Sequence, residues 1–249
     1  MTTVEIVFAG LGVGGLFGAF GAGGSAFATP VLALLGVPGA MAVASPLPAM
    51  VPAALAGARR YLRAGQLDAR TARLAIARGL PGTVLGGLLS DVLGGTRLLV
   101  LSGVMLALVG LRVLVPDSPA HVARAGRRRG HRGVVLGAAF AVGLLTGVLA
   151  NGGGFLLVPL FMVVLGLPAA RAAGTSLVAT AALSVPTLLV HAALGHVDWS
   201  VAAAFGAGLV PGTAAGARLG TGLPGGAARR AFGALLVVFA AAFLVHLAF

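Results

Sequence analysis

Long apolar runs alternate with short polar connections along the whole chain. In the first half the runs cover about 6–22, 25–36, 38–58, 74–91 and 97–115. In the second they cover about 133–150, 154–166, 168–193, 199–217 and 231–249. Most are long enough and free enough of charge to read as membrane-spanning helices, which need about 20 apolar residues. Two are too short. Runs 25–36 and 154–166 give about 18–20 Å of helix at 1.5 Å per residue, against a hydrocarbon core of about 30 Å. Each reads as one arm of a re-entrant or broken helix.

Consecutive glycines precede both short runs. Residues 18–30 read GAFGAGGSAFATP and residues 147–159 read GVLANGGGFLLVP. A break in a helix frees backbone N–H and C=O groups that hydrocarbon cannot satisfy, so it survives only where protein covers it or where it lines a cavity. Breaks at matching positions of two halves point to a transporter's binding site.

The repeat extends beyond the glycines. Pro30 matches Pro159 at an offset of 129, and after one inserted residue the offset is 130. At that offset Gly36-Val-Pro38 falls on Gly166-Leu-Pro168, Ser45 on Thr175, Asp68 on Asp198, Pro81-Gly-Thr83 on Pro211-Gly-Thr213, and Gly86 on Gly216. The expected architecture is an all-α integral membrane protein. It has two inverted-topology repeats of about 4–5 transmembrane segments each, with a glycine-broken or re-entrant helix in each. Residues 1–120 form the first repeat, 121–132 a basic linker and 133–249 the second.

Charge orients the repeats. All 17 basic residues are arginine, against five acidic residues. If the halves are inverted, 16 arginines share one side and Arg97 stands alone; if they are parallel, the split is 12 against 5. The tendency of basic residues to stay cytoplasmic favours inversion. It puts loops 59–73, 116–132 and 218–230 in the cytoplasm of a multi-pass plasma-membrane protein. The N-terminus lacks a signal peptide's positive region, so the first segment is expected to remain.

Composition narrows the chemistry. The chain is 59% hydrophobic and 9% charged, where soluble domains carry about 25% charged residues. Without lysine there is no Walker lysine and no Schiff base. Without cysteine there is no disulfide, thiol catalysis or zinc–thiolate site. There is no paired-carboxylate motif or metal-ligand cluster, so no enzyme activity, cofactor or metal is expected. The arginine excess reads as topological rather than as nucleic-acid binding.

The second copy runs Gly143, Gly147, Gly152-Gly-Gly154, Pro159, Gly166-Leu-Pro168, Ala172-Ala-Gly-Thr-Ser-Leu177 and Gly195-His-Val-Asp-Trp199. With its weaker first copy, it resembles the sulfite exporter TauE/SafE family of bacterial membrane proteins over essentially the whole chain. The first copy departs at Ser25, at Ala44-Ser45-Pro46 and at Pro48 and Pro52. The resemblance implies export of small sulfur-containing anions such as sulfite or sulfoacetate. The residues alone also allow a passive anion channel or a different small anion.

The candidate substrate site comprises Gly23, Gly24, Ser25, Ser45, Asn151, Gly152, Gly153, Gly154, Thr175 and Ser176. N–H groups at a helix start attract anions. If the breaks meet at mid-membrane, Ser25, Ala26, Gly153 and Gly154 would aim N–H groups at one substrate. The outer glycines, as in Gly143-xxx-Gly147, read as close helix packing. Asn151 could serve an oxyanion or freed carbonyls. Hydroxyls at Ser45, Thr175 and Ser176 could coordinate a sulfonate or bond back to their own helix. Asp198, and more loosely Asp68, read as helix N-caps. Arg218 reads as snorkelling to the interface, or as salt-bridged to the anion. His191 is the proton-coupling candidate, with His196 beside it, because histidine titrates near neutral pH; an interfacial histidine is the alternative. The expected partners are a small anion and the lipid bilayer, with a homo-oligomer left open and no nucleic acid.

Overall fold

The computed structural model describes residues 2–115, 132–150, 154–222 and 225–248. The described residues form helices, with no strand among them. In the first half these are α1 (Thr3–Ala19), a 3-10 segment (Gly21–Phe27), α2 (Ala28–Leu34), α3 (Gly39–Ala44), α4 (Leu47–Arg63), α5 (Ala69–Leu93) and α6 (Gly95–Leu114). In the second they are α7 (Arg132–Leu149), α8 (Gly154–Pro159), a π-helical segment (Leu160–Val164), α9 (Ala169–Ala193), α10 (Trp199–Gly220) and α11 (Gly225–Ala248). Among the described residues, five stretches are long and apolar enough to cross a membrane: Gly39–Arg63, Gly95–Leu114, Ala169–Ala193, Trp199–Gly220 and Arg230–Leu247. Large side chains such as Phe8, Leu88, Val92, Leu189 and Val238 are exposed on the outside, as a lipid-facing surface requires.

The packing is exchanged between the halves. α1 lies against α10, and α7 lies against α5. α6 pairs with α11, and α4 with α9. Small residues make the close pairs possible. A side chain on Gly14 would run into the Leu209 backbone and one on Gly18 into that of Thr213. One on Gly143 would meet Gly79, and one on Gly147 would meet Thr83 and Gly87. Backbones at this distance gain dispersion contact that larger residues would prevent. The expectation that Gly143 and Gly147 serve packing therefore holds.

Two elements differ from the hydropathy pattern. The apolar run 38–58 is two helices, α3 and α4, joined at Ser45–Pro46. Pro46 has no N–H to donate and restricts the residue before it. α9, the counterpart, runs unbroken for 25 residues. α5 begins at Ala69 rather than near 74, because Asp68 accepts from the N–H groups of Arg70 and Thr71, both at 3.1 Å. The polar first turn had hidden the helix start. Asp68 is thus a full N-cap, matching Asp198, which accepts from Ser200 and Val201 at 2.9 and 3.1 Å.

Candidate functional site

The helices that lead into the two glycine runs end against opposite ends of α9. Gly21 sits against Ala173 near the start of that helix. The carbonyl of Gly147, in the last turn of α7, is 2.9 Å from Nε2 of His191 near the other end. Eighteen residues of helix separate the two by about 27 Å. The two short segments meet, the 3-10 segment packing against α8, and α9 touching both. Phe20 stacks on Phe232, and Phe27 packs edge-on to Phe239, with centroids 5.2 Å apart in each pair. α11 therefore covers the first break.

The described candidates take these places. Gly23, Gly24 and Ser25 lie in the 3-10 segment, and Ser25 is fully buried. Gly154 opens α8 and is buried. Asn151, Gly152 and Gly153, like most of the basic linker, lie outside the described residues. The hydroxyls of Ser45 and Thr175 are engaged by backbone across the two halves. Thr175 Oγ1 accepts from the Asp68 N–H at 3.0 Å and donates to the Arg171 carbonyl. Ser45 Oγ accepts from the Asp198 N–H at 3.0 Å. Ser176 donates to the Ala173 carbonyl at 2.8 Å.

Ala150 has φ 49° immediately before the second glycine run. Its counterpart in the first copy is Gly21, with φ 72°. An alanine in the left-handed region carries a strain that glycine does not.

The Asp68 and Asp198 carboxyls at the helix starts both titrate below their ordinary range. At Asp68, partial burial pushes the value up, but hydrogen bonds from Thr71 and Arg70 and the charge of Arg171 outweigh it. At Asp198, the Ser200 hydroxyl and the Val201 and Ser200 N–H groups hold the ionised form. Both cap the helix that follows. Arg218 is exposed in the last turn of α10, as an interfacial arginine would be.

A hydroxyl pair that the motif reading passed over lies between the ends of α9. Thr180 and Ser184 are fully buried, and neither oxygen has a hydrogen-bond partner among the described residues. Their i, i+4 spacing puts them on one face. Ser176 and Thr187 extend the same stripe. The corresponding residues of the first half are Pro46, Met50, Ala54 and Gly57. The signal was legible as hydroxyls at helical spacing in an apolar run. A buried hydroxyl without a partner costs about 1–3 kcal/mol, which is tolerable where a ligand supplies the partner.

A cavity of about 30 Å³ lies at the other end of α9, lined by Ala19, Tyr61, Val158, Ala173, Gly220 and Phe232. It has room for about one or two waters, not a sulfonate.

A helical bundle whose described residues include five stretches long and apolar enough to cross a membrane, with an apolar exterior and a buried polar stripe between helices, is a multi-pass membrane protein. Residues 6–243 match the model of the sulfite exporter TauE/SafE family. The chain belongs to that family and is a membrane transporter. It is 31% identical over 232 residues to a probable membrane transporter protein of Xylella fastidiosa strain 9a5c, covering 88% of this chain and 87% of that one. A probable membrane transporter protein of strain Temecula1 is also 31% identical, over 96% of this chain and 95% of its own. The probable membrane transporter protein YunE of Bacillus subtilis is 24% identical over 90% and 89%. No solved structure matches the chain.

Proposed function

We propose that the chain is a secondary transporter exporting small sulfur-containing anions, such as sulfite or sulfoacetate, across the plasma membrane by alternating access. The anion binds between the 3-10 segment and α8, against the hydroxyl face of α9. The observation that carries this reading is the pair of Thr180 and Ser184 hydroxyls, buried without a partner on the helix that touches both segments. Two O–H donors in a dry site, with backbone N–H groups from the glycine runs, suit a sulfonate's oxygens.

The inverted arrangement is part of the proposal. Its support is that Gly174 packs on the Gln66 carbonyl and Gly220 on the Tyr61 hydroxyl. Arg59, Arg60 and Arg63 thus share an end with Arg171 and Arg218. A parallel arrangement would separate them, so this end is read as cytoplasmic. In reconstituted vesicles, efflux of sulfite, thiosulfate or sulfoacetate is expected to saturate, and T180V/S184A is expected to lower it. Absence of flux for all three anions would sink the reading.

A further inference from the structure

One titratable chain links the exposed surface to the backbone just before the second glycine run. α9 ends in a turn in which Gly195 adopts φ 72° and the His196 N–H bonds to the His191 carbonyl at 3.0 Å. This turn folds residue six back over residue one, so the two imidazoles meet. Nδ1 of His191 is 3.2 Å from Nδ1 of His196. Nε2 of His196 is 3.5 Å from Oδ1 of Asp91, whose side chain is 60% exposed. His191 is fully buried, and its Nε2 bonds to the Gly147 carbonyl.

The bonds assign the protons. A carbonyl only accepts, so His191 carries its proton on Nε2 and, when neutral, offers a lone pair at Nδ1. His196 must then donate from Nδ1. Its Nε2 faces a carboxylate with a lone pair unless a further proton sits there. The chain is complete only with one added proton.

The first half has the same construction without the titration. At the 130 offset His191 falls on Tyr61 and His196 on Gln66. The Tyr61 hydroxyl donates to the Gly18 carbonyl at 3.0 Å, just as His191 donates to Gly147. The Gln66 N–H bonds to the Tyr61 carbonyl at 2.9 Å in the same turn. Each clamp holds the last turn of the helix that leads into a glycine run, and one of the two is built on imidazoles, the side chain whose ordinary range spans neutral pH.

We propose that His191 and His196 form a proton-binding site, filled through Asp91, whose occupancy is coupled to anion movement; this rests on the transporter reading above. A proton from solvent passes by way of the Asp91 carboxylate to Nε2 of His196. The Nδ1 proton of His196 crosses to Nδ1 of His191. His196 is then neutral with its proton on Nε2, and His191 is an imidazolium. A cation is favoured at the C-terminal end of α7, so protonation tightens the clamp on Gly147 and deprotonation loosens the glycine run beyond it. The site opens at the end opposite Arg59, Arg60 and Arg171, so it takes protons from the extracytoplasmic face.

Among the described residues, no other ionisable group of the elements that pack on α9 is bonded to this pair. Besides Asp91, α5 carries Arg70, Arg73 and Arg78 toward its far end, and α4 carries Arg59, Arg60, Tyr61 and Arg63 beside the opposite end of α9. Arg132 opens α7, about 22 Å of helix from Gly147. α11 adds Arg229 and Arg230 at its start and His246 near its end, and neither Arg230 nor His246 bonds to the pair. The 3-10 segment, α8 and the π-helical segment carry none.

The test is thiosulfate efflux from vesicles at external pH 5.5–8, with a pH dye reporting proton movement. In the wild type, flux should vary with pH by about tenfold, as a single histidine step allows, and thiosulfate should drive proton movement. H191Y restores the clamp used at Tyr61 without the titration, and H196Q copies Gln66. Both should retain flux while losing the pH dependence and the proton signal. In 15N-labelled protein, an Nδ1–H···Nδ1 scalar coupling should be present in the wild type and absent from both variants. Flux with unchanged pH dependence in H191Y and H196Q overturns the proton site and leaves the transporter reading standing. An absent coupling in folded wild-type protein also overturns it. No flux of any anion, with the coupling present, sinks the transporter reading instead.

Discussion

Thr175 Oγ1 accepts a hydrogen bond from the backbone N–H of Asp68 at 3.0 Å, joining the start of α9 to the turn between α4 and α5. Ser45 and Asp198 make the same bond with the halves exchanged. Thr175→Val should therefore destabilise the protein by about 1–3 kcal/mol, because a partly buried N–H loses its acceptor. Thr175→Ser should cost less. Thermal unfolding in detergent distinguishes the two. Equal midpoints for Val and wild type would show that the bond adds nothing.

Ala150→Gly should stabilise the protein by up to about 1 kcal/mol. The residue sits at φ 49°, where a Cβ is strained and glycine is not. The same unfolding assay reads the gain. A loss of stability would mean that the glycine's extra freedom in the unfolded chain outweighs the relieved strain.

Thr180→Val and Ser184→Ala should separate function from stability. Neither hydroxyl has a hydrogen bond to lose among the described residues, so unfolding midpoints should hold or rise. Anion efflux should fall at least tenfold, roughly the 1.4 kcal/mol that one good hydrogen bond to an anion contributes. Unchanged efflux in both variants would remove the hydroxyl face from the site.

Asp198→Asn should leave α10 capped and remove the cap's response to acid. The Asp198 carboxyl titrates below its ordinary value in the folded protein. Its contribution is therefore fully present above the ordinary carboxylate value, about 3.9, and is lost as pH falls through the lower folded value. Unfolding midpoints of wild type and D198N should run parallel above about pH 5 and converge under stronger acid. Divergence near neutral pH would contradict this account.

Much of the architecture was readable because hydropathy and helix caps act locally. The long apolar runs became helices, the short runs stayed short, and Asp198 announced the start of α10. Asp68 was read less well, since Arg70, Thr71 and Arg73 dilute the apolar signal in the first turn of α5. The site was partly hidden for a different reason. The partners of Ser45 and Thr175 lie 153 and 107 residues away, and no local pattern reveals such contacts. His191 was noticed because histidine is rare in an apolar run. Its link to Asp91 depends on the turn at Gly195 and on α5 packing beside α9. Thr180 and Ser184 were visible as residues, but that they lack partners is a property of the packed bundle alone.

The most direct test of the transporter account is counterflow. Vesicles loaded with unlabelled sulfite, thiosulfate or sulfoacetate are diluted into a trace of the same labelled anion. The account predicts transient accumulation of label above its equilibrium level for at least one anion, stimulated by the trans substrate and reduced in T180V/S184A. Label that only equilibrates, at a rate independent of the trans anion, would contradict alternating access and identify a passive pore.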